Sequence, residues 1–284
     1  LNTDPSGTAV RSALYEKDGS RHEVKGNSFV LCAGALNSAL ILLDSRNQFH
    51  PEGLANSSGL VGRNYMCHNN TVLMAFHPCR RNRTIMQKTL SCNDFYLPGA
   101  ASGLTAGLAA GGPAAAPAGN IQLRGKVQPE NLRSSPRMCL RLLRRFVAGR
   151  SADFWIMSED LPDPGNRIYR DDQSRIRLER TPTNIDAHHD LVASFTRVLK
   201  RAGFPFVISV ERGLGSVQHQ SGTARMGTDP GSSVLDPFCR SHDIPNLRVV
   251  DGSFFPSSGA VNPSLTIAAQ ALRVADHLLD NSFD

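Results

Sequence analysis

Three polar side chains in the last third of the chain have the chemical types that a proton-transfer site requires. His219 leads a run of small residues, Asp251 follows the apolar run 247–250, and Asn262 precedes Pro263. A histidine with a pKa near ~6.5 can take a hydroxyl proton at neutral pH, and a positioned proton transfer accelerates a reaction by roughly 10²- to 10⁴-fold. The order of these residues predicts a proton acceptor, a strand-end carboxylate and a helix start around one ligand.

Each of these residues also has an ordinary structural explanation when it is taken alone. A histidine such as His219 is more often held in a core or a loop, and this applies equally to His50, His68, His77 and His242. As a pure helix cap, Asn262 would use its side-chain oxygen on the Leu265 amide and leave little for a substrate. The combination favours a site more than any single residue does.

The neighbouring sequence predicts the elements that carry these residues. The run 247–250 predicts a strand ending at Asp251 and Gly252, and ligands of open α/β sheets bind beyond such strand ends. Asn262 as N-cap and Pro263 at the first helical position predict a helix, mostly buried, to about Leu279. The free N–H groups at such a helix start stabilise an anion by roughly 0.3–1 kcal/mol.

The first fifty residues predict a hairpin followed by a strand–turn–helix unit. Strands over 10–16 and 21–25 flank an Asp-Gly turn, and 29–31 reads as a short buried strand. Small residues at 33–35 lead to Asn37 and Ser38, which are expected to cap a helix over 39–43. This arrangement is typical of dinucleotide-binding folds, although any α/β protein contains such a unit.

The middle of the chain predicts a separate α+β lobe. Strands are expected over 154–157 and 176–179, and an amphipathic helix is expected over 186–202. The Gly-, Ala- and Pro-rich segment 103–119 predicts a connector and not a phosphate loop.

Composition narrows the class of protein. The 284 residues are 40% hydrophobic and 20% charged, as in globular proteins, and the apolar runs are too short to cross a bilayer. No export signal is visible at the start, so either a leader was removed or the chain starts inside a longer protein. The location stays open between compartments, with the cytoplasm favoured. The six cysteines have no zinc or redox spacing, so no metal site is expected and the thiols are expected to be mostly buried.

The net charge of +6 raises the alternative of a nucleic-acid-binding protein. Much of the excess lies in 80–83 and 133–150, and neither segment is interleaved with stacking aromatics. The arginines at 137, 141, 144 and 145 instead predict a solvated helix face.

Six segments of the chain together resemble the glucose-methanol-choline (GMC) oxidoreductases. They are 31–38, 59–64, 219–227, 233–236, 245–253 with Pro256, and 261–266. The block after Ser216 is the most specific part of this resemblance, because its segments follow one another in the family's order.

The resemblance implies a role for individual residues. His219 corresponds to the family's catalytic histidine, which takes the alcohol proton while hydride passes to N5 of the flavin of FAD. Asn262 stands where the family has a His or Asn that hydrogen-bonds the substrate oxygen. The residues expected to bind FAD are Ala33 and Gly34 on the adenosine side, and Asp251, Gly252, Asn262, Pro263 and Thr266 near the pyrophosphate and the flavin ring.

One family feature does not appear in this sequence. GMC proteins carry a Gly-x-Gly-x-x-Gly phosphate loop near the N-terminus, and the nearest approach here, 213–218, lacks the third glycine. By resemblance, roughly the first two-fifths of a typical member is absent. We therefore expect the chain alone to bind FAD poorly, and the alternative is a non-catalytic fragment that needs the missing N-terminal segment.

These observations predict an α/β fold with an α+β part. Residues 1–75 and 216–284 are expected to form part of a Rossmann-like FAD-binding domain, and 76–215 an inserted substrate-binding lobe with an antiparallel sheet. The expected partner is a small-molecule alcohol, and neither nucleic acid nor a transmembrane segment is expected. The identity of the alcohol and the electron acceptor stay open.

Overall fold

The computed structural model describes residues 1–84, 88–96, 119–132, 141–213 and 218–280. It divides into two compact units: unit 1 comprises Leu1–Cys67, Asp160–Thr183 and Gln218–Asp284, and unit 2 comprises His68–Glu159 and Asn184–Val217. Both ends of the chain thus belong to unit 1. Residues 160–183 also belong to it, whereas the predicted boundaries assign them to the inserted lobe. The predicted connector 103–119 lies, except for Gly119, outside the described residues.

Each unit has its own helices and strands. The helices are α1 (Ala35–Asp44) and α4 (Ser264–Asp280) in unit 1, and α2 (Arg141–Ala148) and α3 (Ile185–Arg201) in unit 2. The strands of unit 1 are β1 (Asn2–Thr3), β2 (Val10–Lys17), β3 (Ser20–Lys25), β4 (Phe29–Leu31), β9 (Arg167–Arg170), β10 (Ile176–Glu179) and β12 (Leu247–Val249). Those of unit 2 are β5 (Asn69–Phe76), β6 (Ser91–Cys92), β7 (Asn120–Leu123), β8 (Ser151–Ser158) and β11 (Phe206–Arg212).

Unit 1 contains the predicted hairpin and a parallel strand pair. β2 pairs with β3 in antiparallel register, and Asp18 and Gly19 both have positive φ, as the favoured hairpin turn requires. β12 runs parallel to β4, and all three residues of β12 are buried. Rossmann-like domains are built from parallel strands, and the complete domain stays a prediction.

The helix after β4 begins earlier than predicted. α1 starts at Ala35 after Gly34, which has φ of +83° and provides no side-chain cap. The prediction of a cap at Asn37 and Ser38 is wrong, because the Ser38 hydroxyl lies inside the helix and donates to Asp251. Leu42 of α1 is fully buried in the core of unit 1.

α4 occupies the predicted segment but is not mostly buried. Val274 is its one buried residue, whereas Leu265 is 83% and Leu272 68% exposed. On another side of the helix, Gln270 and Arg273 donate hydrogen bonds to the Pro237 carbonyl and so hold the helix against that loop. Ile267, Ala271 and Leu278 pack against the core of unit 1. The apolar periodicity predicts a buried face, and the described residues cover only part of it.

Unit 2 is an antiparallel sheet with a helix on one face. Its strand order is β11-β5-β8-β7-β6, and every neighbouring pair is antiparallel. Leu191 and Phe195 of α3 pack against Leu73 and Ile156 of the sheet. The predicted α+β lobe with an antiparallel sheet is therefore confirmed at the level of mixed α/β architecture. None of the four helices in the described ranges is long and apolar enough to span a membrane.

The cysteines that the structure describes differ in how far they are buried. Cys67 and Cys239 are buried, but Cys32 and Cys79 are exposed and Cys92 is half-buried. The expectation of mostly buried thiols is therefore wrong for the cysteines that the structure describes.

His188 of α3 is a buried histidine that bridges two strands. Its Nε2 lies 2.8 Å from the Thr71 hydroxyl of β5, and its Nδ1 lies 2.9 Å from the Ser158 hydroxyl of β8. Burial lowers the pKa of His188 to about 4, with His189 acting in the same direction and Glu211 opposing it. The folded protein therefore holds this imidazole neutral.

Acid should destabilise the protein through His188. As the pH falls from about 6.5 to about 4, the unfolded chain takes up a proton on this residue and the folded chain does not. The free energy of unfolding should thus fall by up to about 3 kcal/mol across that window. Urea titrations at several pH values would measure this slope in the wild type and in His188→Gln.

The exposed neighbour provides the matched control for this experiment. His188→Gln should remove the His188 share of the slope, whereas His189→Gln should retain it, because the His189 side chain is 58% exposed. Parallel slopes in the wild type and His188→Gln would contradict the assignment.

Candidate active site

The structure brings His219 and Asn262 together in unit 1. Asn262 Nδ2 lies 3.2 Å from His219 Nε2, although the residues are 43 positions apart in sequence. An amide nitrogen can only donate, so in this contact Nε2 presents its lone pair. That is the form of imidazole that can take a proton from a hydroxyl group.

The backbone holds His219 in an unusual conformation. Its φ is +65°, in the left-handed region that costs a non-glycine residue roughly 1–3 kcal/mol. The segment that follows is tied down, because Ser221 exchanges both backbone hydrogen bonds with Met66 and the Gly222 amide donates to the Gly252 carbonyl. Strain maintained by such neighbours is typical of residues that must present a side chain in one direction.

Asn262 is oriented by the start of α4. The Ile267 amide donates to the Pro263 carbonyl over 2.9 Å, so Pro263 takes the N-cap position and the helix begins at Ser264. The prediction of Asn262 as N-cap and Pro263 as first helical residue is therefore wrong by one position. Asn262 therefore precedes the N-cap, and its side-chain amide contacts His219. Thr266 is exposed and lies in the first turn of the helix.

Asp251 is buried, and its carboxylate is fully engaged by protein donors. One oxygen accepts from the Gly34 amide (2.9 Å) and the Ser38 hydroxyl (2.5 Å). The other accepts from the amide (2.8 Å) and the hydroxyl (2.5 Å) of Ser253. The carboxylate thus joins the start of α1 to the turn that follows β12. Direct contact of Asp251 with FAD stays a prediction.

Gly252 and Gly34 differ in the space around them. A Cβ added to Gly252 would lie 2.6 Å from the Gln220 carbonyl oxygen and 3.9 Å from Ala35 Cβ. Gly252 therefore packs directly against the backbone next to His219 and close to the start of α1. A Cβ added to Gly34 would meet nothing within 4 Å, so space beside this turn is open.

The start of α1 has the properties of an anion site. The Gly34 amide is used by Asp251, and the first helical hydrogen bond is donated by Ser38. The amides of residues 35–37 have no acceptor among the described residues. Free amides at a helix start next to open space fit a phosphate-bearing ligand. Contact of Ala33 and Gly34 with the adenosine side of FAD stays a prediction.

Sequence reasoning missed several residues that organise this site. The sequence predicts Ser38 as a helix cap, but its hydroxyl accepts from the Ala33 amide and donates to Asp251. Thr223 Oγ1 donates to the Ala35 carbonyl over 2.5 Å and so fastens the His219 segment to α1. Gly222 leaves no room for a side chain, since a Cβ would strike the Asn64 carbonyl. A glycine three residues after His219 was the one signal of this close packing.

Comparisons with known proteins show which families this chain is similar to. Residues 167–271 match the family model described as GMC oxidoreductase. The chain is 28% identical to the fructose dehydrogenase large subunit of Gluconobacter japonicus, over 99% of this chain and 52% of that protein. It is 29% identical to paromamine 6'-oxidase of Streptomyces fradiae, over 97% of this chain and 50% of that protein.

Solved structures show the same fold. Pyridoxine 4-oxidase from Mesorbium loti superposes with a TM-score of 0.63 at 19% identity, over 97% of this chain and 56% of that one. Formate oxidase from Aspergillus oryzae superposes with a TM-score of 0.67 at 16% identity, over 99% of this chain and 59% of that one.

The chain is similar to the C-terminal portion of GMC oxidoreductases. FAD is the cofactor of this family. The chain spans about half the length of the relatives that it matches, so the activity of a complete protein is a matter for proposal.

Proposed function

We propose that this chain carries the catalytic end of an FAD-dependent enzyme that oxidises an alcohol to an aldehyde or ketone. The observation that carries the proposal is the contact between His219 and Asn262. Gln220, the residue after His219, packs directly against Gly252, and a Cβ added to Gly34 would meet nothing within 4 Å.

His219 and Asn262 have different roles toward the substrate hydroxyl. His219 Nε2 takes the hydroxyl proton, because it presents a lone pair in the observed contact. Asn262 Nδ2 donates a hydrogen bond to the same oxygen and stabilises the charge that develops on it as the proton leaves. FAD, when bound, supplies the acceptor for the substrate hydride at flavin N5.

Other residues would hold the cofactor and the catalytic pair. Gly252, Pro263 and Thr266 would border the flavin, and the start of α4 would stabilise negative charge on it. The amides that follow Gly34 would face phosphate oxygens. Asp251 would act by fixing the turn at Ala33 and Gly34, since all four of its hydrogen bonds go to protein groups.

The names of the relatives suggest the class of substrate. They include fructose dehydrogenase, 2-methyl-1,2-propanediol dehydrogenase and paromamine 6'-oxidase, each named after a compound with free hydroxyl groups. We propose a small polar alcohol as the substrate. Dehydrogenases and oxidases both occur among the relatives, so the proposal does not include the electron acceptor.

A second candidate is that the chain is inactive until another polypeptide segment completes it. The exposed leucines of α4 and the lack of a second partner for β4 among the described strands favour this reading. Arg248 adds to it, since its side chain is buried and its Nε has no hydrogen-bond partner. A covering segment would bury the leucines and could supply a carbonyl or carboxylate to Arg248.

Flavin binding tests the need for a completing segment, and flavin reduction tests the proposed oxidation. The chain alone should purify colourless, whereas a fusion to the part of the Gluconobacter relative that the chain does not match should bind FAD and show flavin absorbance. Anaerobic addition of fructose, 2-methyl-1,2-propanediol or paromamine should then bleach that absorbance. A flavin-loaded fusion that none of the three alcohols reduces would contradict the proposed oxidation.

A further inference from the structure

Unit 2 has a strongly basic end that the proposed oxidation does not use. Phe76 pairs with Ser151 and with Phe206, so the end of β5 and the starts of β8 and β11 lie at the same end of the sheet. The segments attached at this end carry nine cations, which we call the basic rim: Arg80, Arg81, Arg83, Arg141, Arg144, Arg145, Arg150, Lys200 and Arg201.

Several contacts show that these segments lie together. The Asn82 amide donates to the Gly149 carbonyl over 2.9 Å, and the Asn82 side chain donates to the Ser151 carbonyl over 2.7 Å. A Cβ added to Gly203, just after α3, would lie 3.8 Å from Arg80 Nη1. The cations that follow β5, those of α2 and those at the end of α3 thus share one end of the unit.

The basic rim is not neutralised within the described part of the chain. None of its members has a carboxylate oxygen within 4.0 Å among the described residues, whose ion pairs all lie elsewhere. Glu130, on the 3₁₀ turn that packs near α2, forms no ion pair with it. Unit 2 as a whole carries 16 Lys and Arg against 7 Asp and Glu, so the positive charge of the chain is concentrated here.

Large apolar side chains are exposed among these cations. Leu142 is 80%, Phe206 54% and Phe146 39% exposed. Phe76 has its ring centroid 5.9 Å from both Phe146 and Phe206, and the Arg150 guanidinium stacks 3.9 Å over Phe146. The sequence predicted a solvated helix face over this segment, but Leu142 of α2 reaches water together with the arginines.

We propose that the basic rim docks on the surface of an anionic lipid bilayer. Arginines that flank an exposed leucine and phenylalanines match a surface with anionic headgroups above hydrocarbon, because the cations pair with headgroups while the apolar groups enter the boundary layer. Nucleic acid would use the charge but offers no apolar layer for Leu142. The proposal is independent of FAD and of the catalytic pair, which lie in unit 1.

Vesicle co-sedimentation of the full chain tests this docking. Vesicles of phosphatidylcholine and phosphatidylserine in a three-to-one ratio should bind the protein at least about tenfold more tightly than phosphatidylcholine alone, and salt should weaken the binding. The double variant R144E/R145E should lose at least about 25-fold in partition coefficient, since each basic residue contributes roughly fivefold. Leu142→Ser should lose roughly tenfold.

Matched variants on the β2–β3 hairpin provide the controls. R21E/K25E makes the same change in net charge, and Leu14→Ser removes an apolar side chain that is 55% exposed; both should bind within about twofold of the wild type. Circular dichroism checks that each variant is folded, and R80E/R81E repeats the test on a second segment. Equal binding to neutral and anionic vesicles, or tighter binding to duplex DNA than to the anionic vesicles, would overturn the proposal.

Discussion

Replacing His219 with alanine should lower the rate of flavin reduction by roughly 10²- to 10⁴-fold and leave FAD bound. The substitution removes the nitrogen that accepts the substrate proton. It leaves the Asp251 hydrogen bonds and the start of α1 intact, so the proposed phosphate contacts persist. Anaerobic stopped-flow measurement of flavin bleaching in the FAD-loaded fusion would give the rate, and the flavin absorbance would give the occupancy.

A histidine outside the site is the control for this experiment. His22 is exposed on β3 and stacks on Tyr15, so His22→Ala should reduce flavin at the wild-type rate. If His219→Ala and His22→Ala bleached equally fast, the imidazole of His219 would have no part in proton transfer.

Replacing Asp251 with alanine should cause the largest loss of stability. Its removal leaves the half-buried amide of Gly34, the buried amide of Ser253 and the buried hydroxyl of Ser38 without their acceptor. An unmet buried donor costs about 1–3 kcal/mol, so we expect a total loss of about 3 kcal/mol, or roughly 10 °C in Tm. Differential scanning calorimetry of the chain would measure this shift without FAD.

Two further variants separate the buried network from a general effect of losing an aspartate. Asp229 accepts from the Gly231 amide and the Ser232 hydroxyl in a similar local pattern but is exposed, so Asp229→Ala should lower Tm by only a few degrees. Asp251→Asn keeps the size and shape of the side chain. Its NH₂ group would face hydrogen-bond donors that it cannot accept from, so this variant should also be strongly destabilised. A Tm for Asp251→Ala equal to that of Asp229→Ala would show that the network contributes nothing.

The sequence predicted which residues meet better than it predicted how they are held. His219 and Asn262 were paired through the resemblance, and the structure brings them within 3.2 Å. The one-residue shift of the α4 start could not be predicted, because Asn-Pro satisfies the cap preference whether or not the asparagine has a partner elsewhere. The role of Ser38 depends on Asp251, 213 residues further along the chain, and no local pattern reports such a contact.

The fold shows the same division between local and distant information. The β2–β3 hairpin was predictable because its turn residues and strand periodicity are local. The return of residues 160–183 to unit 1 was not, since it depends on contacts such as the bidentate pair of Arg170 on β9 with Asp44 at the end of α1. The exposed leucines of α4 show a further limit, because periodicity identifies an apolar face but not whether another segment covers it.

The most direct test of the account is a double-mutant cycle on flavin reduction, with His219→Ala, Asn262→Ala and the two combined in the FAD-loaded fusion. Two side chains that act on one hydroxyl oxygen should be strongly coupled, so the double variant should be scarcely slower than His219→Ala, with a coupling energy above about 1 kcal/mol. Fully additive losses, or an Asn262→Ala variant as fast as the wild type, would show that the imidazole and the amide do not serve a common substrate atom.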